Sequence, residues 1–221
     1  MAMGGQNPTA EYIVFDLDGV LVDSMQVMRQ AFHTAYAEVV GGGEAPFEEY
    51  NRHLGRYFPD IMRIMGLPLE MEEPFVRESY RLAHHIRPYD GVVEMLHELR
   101  ARGIRTAVAT GKSGPRARSL LGNLNLLDVF DHVLGSDEVA RAKPAPDIIL
   151  RALQLWDAPP GDAVMIGDAV TDLTSARAAG VGAIAALWGE PDTERLIAAG
   201  PDMVLHRPAE VLSLAPASAV R

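Results

Sequence analysis

With 221 residues the chain is long enough for one sizeable core carrying an inserted second unit. Its net charge of −10 excludes nucleic acid as the main partner, since gripping a phosphate backbone takes clustered cations, but a few local cations or a metal still suffice for a small phosphorylated molecule. The absence of cysteine excludes disulfides and thiolate metal sites and suits a cytoplasmic protein.

Residues 1–10 (MAMGGQNPTA) combine no cationic start with an apolar run and read as a disordered leader. Nowhere is an apolar stretch long enough to span a bilayer, so no membrane partner is expected. Tyr12–Asp16 is a β-branched and aromatic strand that runs into two carboxylates, Asp16 and Asp18. From Met25 to Arg87 only helical patterns occur, over Met25–Val40, Phe47–His53, Asp60–Met65 and Pro74–His85. Gly41-Gly42-Gly43, Pro59 and Gly66-Leu67-Pro68 punctuate them as breakers. Beyond this region helix and strand alternate. Helical spacing over Val92–Arg102 and Asp147–Trp156 separates strands at Ile104–Thr110, His132–Gly135, Ala163–Asp168, Gly182–Leu187 and Met203–Leu205. The alternation predicts an α/β fold, a Rossmann-like parallel-sheet core with helices on both faces and an inserted α-helical cap. The core takes residues 11–23 and 88–221 and the cap residues 24–87, with hinges near Val22–Ser24 and Arg87–Gly91.

In an open parallel sheet the carboxyl ends of the strands gather at one edge, and ligands bind there. The first strand ends in Asp16 and Asp18, the second in Thr110 and Gly111, the fourth in Gly167-Asp168 with Asp172 one turn on. Lys143 follows the third. Taken singly, each has an ordinary reading: a strand-end Asp caps a helix, Thr-Gly makes a turn, and a lone lysine is a solvated cation. Taken together they put carboxylates, a hydroxyl, amides and a cation at one edge. Clustered carboxylates repel one another and are costly to bury ionised, and a divalent cation removes that cost. Hard oxygen donors at this density suit Mg²⁺. Such a set supports phosphoryl transfer through an aspartyl-phosphate. A calcium loop does not fit, because Val20-Leu21-Val22 fills the positions its further ligands would need.

Four segments resemble the motifs of the haloacid dehalogenase superfamily: Asp16–Ser24, Thr110, Lys143-Pro144-Ala145-Pro146 and Gly167–Asp172. The resemblance runs from Tyr12 to about Leu212 and is nearest the phosphoglycolate phosphatase-like and beta-phosphoglucomutase-like branch, which carries a helical cap. It implies Asp16 as nucleophile and metal ligand, and Asp18 as general acid/base with its carbonyl on the metal. It further implies Asp168 as second metal carboxylate, Asp172 in support, and Thr110, Gly111 and Lys143 on the phosphoryl group. An acid at position 18 suits phosphatases and phosphomutases rather than dehalogenases. One departure is Gly111, where related phosphatases often carry Asn.

The same resemblance assigns substrate choice to the cap, where Arg52, His53 and Arg56 are the candidates and Arg56 could grip a second anionic or hydroxylated part of the substrate. The alternative is a solvated helix end. His84-His85 points in two directions on a helix and makes a poor metal pair. A weaker resemblance links the cap to phosphatases associated with 3-amino-5-hydroxybenzoate biosynthesis. The leading expectation is a monomeric, Mg²⁺-dependent phosphatase of a small phosphorylated metabolite: a sugar phosphate, an amino-sugar phosphate or phosphoglycolate. A beta-phosphoglucomutase-like phosphomutase and a non-catalytic phosphate-sensing module are the alternatives.

Overall fold

A computed structural model describes residues 9–189 and 192–215. Residues 1–8 of the expected leader lie outside it. Ala10, the leader's last residue, is buried, and its amide donates to the Leu214 carbonyl at 2.8 Å, so order begins by this point.

Among the described residues there are eight strands: β1 (Tyr12–Phe15), β2 (Val22–Asp23), β3 (Arg87–Pro88), β4 (Arg105–Thr110), β5 (His132–Gly135), β6 (Ala163–Gly167), β7 (Gly182–Ala186) and β8 (Met203–Leu205). Six make one sheet in the order β5-β4-β1-β6-β7-β8, and every pairing in it is parallel. Chain order reverses on either side of β1, which pairs with β4 through Tyr12↔Arg105 and with β6 through Tyr12↔Ala163. This is the doubly wound arrangement, with its switch point at the end of β1.

Both faces of the sheet are covered, which is why its strands read as continuous apolar runs instead of alternating ones. Side chains still alternate between faces. Ile13 and Phe15 pack with α5 (Val92–Ala101) and α6 (Gly114–Asn123), whereas Val14 packs with α7 (Asp147–Trp156) and α8 (Val170–Ala179).

β2 and β3 form a separate antiparallel ribbon, Val22↔Pro88 and Asp23↔Arg87. Every described element between them is helical: α1 (Met25–Val39), α2 (Phe47–Asn51), α3 (Phe58–Met65), α4 (Glu72–Leu82) and short 3₁₀ turns at Leu69–Met71 and Ala83–His85. This region has its own core, in which Phe32, Phe47, Tyr50, Phe58 and Phe75 meet ring against ring. Two helix starts differ from expectation. α3 begins at Phe58 and α4 at Glu72, so Pro59 and Pro74 sit within first turns. There no helical N–H bond is needed, and a proline opens a helix instead of breaking it.

Candidate active site

Lys143 is the hub of the sheet edge. Only 1 % of it is exposed, and its ammonium reaches three acceptors on three elements. It donates to Asp16 Oδ1 after β1 at 2.9 Å, to the Ala109 carbonyl in β4 at 2.9 Å, and to Asp172 Oδ1 in α8 at 2.6 Å. All three donors of the ammonium are used, which is what lets a buried cation persist.

Burial pushes Asp16 up to about 7, reinforced by the neighbouring Asp172 and Asp18 carboxylates and opposed by Lys143. Burial works against the charge of Lys143 too, but Asp16 and Asp172 more than offset it and hold the ammonium above the ordinary lysine range.

Asp18 has a different partner. Lys112, just beyond β4, donates to both its carboxylate oxygens at 2.6 Å, and Ser24 Oγ donates to Oδ1. Burial raises Asp18, yet Lys112 and Ser24 outweigh it and the carboxyl lies below its usual range. Lys112 is itself lowered, because burial and nearby Arg116 outweigh the attraction of Asp18 and Asp16.

Asp16, Asp168 and Asp172 each place a carboxylate oxygen within 4.8 Å of the others. The donors are hard oxygens and fit a small divalent cation such as Mg²⁺. Within the trio the roles differ. Asp172 Oδ1 takes Lys143 and its Oδ2 takes the Ala169 amide at 3.0 Å, so both oxygens are committed. Asp172 thus has both oxygens taken within the site, while Asp16 and Asp168 line the cavity. The carboxylate of Asp18 stands outside the trio, on Lys112. Gly19 makes the closeness possible: its φ is +79°, and a Cβ there would lie 1.8 Å from Asp168 Oδ2.

A cavity of about 640 Å³ opens between this edge and the helical region. Asp16, Asp18, Gly111 and Asp168 line it from the core, and Arg52, His53 and Arg56 from the helical side. Thr110 and Lys143 lie beneath the lining, and Thr110 Oγ1 accepts the Lys112 amide at 3.2 Å. At Gly111 a Cβ would come within 2.5 Å of the Arg56 carbonyl, so the loop carrying Arg56 sits where a side chain would be.

Sequence reasoning missed Arg116 and Tyr50 of this cavity, and it missed that Lys112 and Ser24 both bond to Asp18. For Lys112 the available signal was its place two residues past Thr110. Arg116 stands on the buried stripe of α6 among Ala117, Leu120 and Leu121, where an arginine breaks the apolar pattern.

Residues 10–180 match the family model described as haloacid dehalogenase-like hydrolase. The chain is 34% identical to a probable phosphatase, IndB, of Dickeya dadantii (strain 3937), over 92% of each chain. It is 28% identical to a phosphoglycolate phosphatase of Aquifex aeolicus (strain VF5), covering 91% of this chain and 95% of that one. The fold superposes with a TM-score of 0.80 on CbbY from Rhodobacter sphaeroides in complex with xylulose-(1,5)bisphosphate, at 26% identity, with 94% of this chain and 100% of that chain covered. The chain is a phosphoester hydrolase and belongs to the haloacid dehalogenase-like hydrolases.

Proposed function

We propose that the chain is a Mg²⁺-dependent phosphatase that hydrolyses a small phosphomonoester through phosphorylation of Asp16. The observation that carries this reading is the setting of Asp16. It lines the cavity while Lys143 holds one of its oxygens at 2.9 Å, so the carboxylate is aimed and cannot rotate away.

In the first half-reaction an Asp16 oxygen bonds to phosphorus and the ester oxygen departs with a proton from Asp18. In the second, Asp18 takes a proton from water as that water's oxygen bonds to phosphorus, which frees Asp16 and releases inorganic phosphate. Lys143 neutralises charge on Asp16 and the phosphoryl oxygens, and the Gly111 amide and Thr110 hydroxyl are the neutral donors on that side. A bound Mg²⁺ would supply further neutralisation of the phosphoryl charge, held by Asp16 and Asp168 with Asp172 in support.

Residues 24–87 act as the cap, moving on the ribbon of β2 and β3, and Arg52, His53 and Arg56 contribute to substrate choice. The substrate class is a small phosphorylated metabolite, such as a sugar phosphate, an amino-sugar phosphate or phosphoglycolate. A relative named for phosphoglycolate supports this class, as does a structural neighbour bound to a sugar bisphosphate. A cytoplasmic monomer completes the reading. An acid/base candidate inside the cavity weighs against a phosphate sensor, because a stable phospho-switch gains nothing from one.

The test is a screen of phosphomonoesters with and without Mg²⁺, measuring inorganic phosphate against substrate loss. Stoichiometric phosphate release that requires Mg²⁺ is expected, and Asp16→Asn should lower it by at least about 10⁴-fold. Phosphate kept on an isomerised sugar would mark a phosphomutase instead. Unchanged activity in Asp16→Asn would sink the mechanism.

A further inference from the structure

Arg116 is the unexplained charge of this molecule. Its residue is only 8 % exposed, yet among the described residues no hydrogen bond or ion pair holds its guanidinium. What it touches is a ring: the guanidinium carbon lies 5.2 Å from the centroid of Phe75 in the helical region. Asp18 and Glu72 attract it through space, but both are engaged elsewhere, Asp18 with Lys112 and Ser24, and Glu72 with the Tyr57 hydroxyl at 3.3 Å. Burial pulls its pKa down without removing the charge of a guanidinium, which stays protonated at any working pH. Its five donors have no acceptor among the described residues and face the cavity beside an aromatic wall, where a ligand can supply one.

The surroundings say where that ligand lies. Arg116 lines the same cavity as Asp16 and Asp18, beside Tyr50, Phe75 and Asn51. Asn51 keeps its side-chain oxygen buried with no donor. The Tyr50 hydroxyl is held in its neutral form by burial and has no hydrogen-bond partner among the described residues. The cavity therefore has polar groups without a partner among the described residues on both α6 and α2. Arg56, the candidate from the sequence, is more exposed than Arg116 and stands at the loop over Gly111.

We propose that Arg116 reads a second anionic group on the alcohol portion of the substrate, so that the enzyme prefers phosphomonoesters whose leaving group carries a carboxylate or a second phosphate. A planar fork suits either anion, and the low-dielectric wall of Phe75 and Tyr50 strengthens its pull. The proposal rests on the phosphatase reading for the position of the transferred phosphate, and adds to it what the other end of the substrate must be.

Three substrates test it in wild type, Arg116→Met and Arg116→Lys: glycerol 3-phosphate, 2-phosphoglycolate and fructose 1,6-bisphosphate. Arg116→Met should lower kcat/KM by about 10–100-fold on 2-phosphoglycolate or the bisphosphate and by less than about 3-fold on glycerol 3-phosphate. The substrate that loses more identifies the anion as carboxylate or phosphate. Arg116→Lys should restore part of the selectivity, and it carries the test if the Met variant does not fold. An equal loss on all three means that Arg116 only braces Phe75, and overturns the proposal. So does a selectivity loss found in Arg56→Met and not in the Arg116 variants.

Binding gives an arm independent of turnover. In calorimetry with Mg²⁺, wild type should bind phosphonoacetate or methylenebisphosphonate more tightly than methylphosphonate, and Arg116→Met should erase that difference. No difference in wild type overturns the proposal. Should wild type bind these ligands as expected yet hydrolyse no phosphomonoester, the phosphatase reading fails while the role of Arg116 stands.

Discussion

Two lysines divide the two carboxylates of the first motif, and the division sets their proton chemistry. Asp16 shares Lys143 with Asp172 and a backbone carbonyl, so its burial is only partly offset. Asp18 has Lys112 on both oxygens, and its burial is more than offset. Without metal, one group is pushed toward the neutral form and its neighbour away from it, the reverse of what a nucleophile and a proton donor need; a cation beside Asp16 would favour its ionised form. Removing Lys112 leaves the burial of Asp18 opposed mainly by Ser24. In Lys112→Met the limb of the kcat–pH profile that belongs to Asp18 should move to higher pH. An unmoved limb would mean that Asp18 is not the group titrating. The Asp pair was visible in the sequence from its place at a strand end. The lysine that tunes Asp18 was not, because what it does depends on a loop that folds back across the sheet edge, and spacing along the chain carries no record of that.

Among the elements, the helical insert meets the core most closely at the loop between α2 and α3. Gly55 and Arg56 turn their carbonyls toward Gly111, and the Thr171 hydroxyl donates to the Leu54 carbonyl at 3.4 Å. A methyl group at position 111 would force that loop outward, at a cost of about 1–3 kcal/mol for overpacking. Gly111→Ala should therefore raise KM about 10-fold while the melting temperature stays within about 2 °C, because the strain is relieved by moving the loop and not by disturbing the sheet. A lower melting temperature with unchanged KM would show that the loop does not yield. The alternation of strands and helices was readable from apolar runs and helical spacing, since β1, β4 and β6 are buried on both faces and have no polar side to blur the pattern. The start of α3 was hidden by Pro59, which reads as a breaker until the turn around it is known, and that of α4 by Pro74, which reads as a first helical residue although the helix opens at Glu72. The aromatic core of the insert was hidden as well, because Phe32 and Phe75 are distant in the chain and come together on one ring, Tyr50, only when the helices pack.

The whole molecule carries the electrostatic cost of this site. Without metal, Asp16 binds its proton more tightly in the folded state than in the unfolded chain, where an aspartate titrates near 3.9. The folded state thus holds the extra proton between pH 4 and 7, and stability falls as pH rises through that window. Lys143, raised by its partners, is protonated in both states there and contributes no slope. His132, lowered by burial, binds fewer protons when folded and adds a slope of opposite sign near pH 6.5. Comparison with Asp16→Asn isolates the aspartate. From pH 5 to 7.5 the metal-free wild type should lose at least about 2 °C of melting temperature relative to the variant, and Mg²⁺ should return it in wild type only. Parallel curves for the two proteins would remove the assigned burial cost from Asp16. The central position of β1 has one more consequence, in time instead of energy. β1 leaves the ribosome long before its neighbour β6, which is complete only once Gly167 has been made, roughly 8–30 s later at about 5–20 residues per second. Throughout that interval an apolar strand waits without one of its two partners, the circumstance in which chains aggregate. Asp16 and Asp18 follow that strand directly, in the flanking position where charges oppose such aggregation.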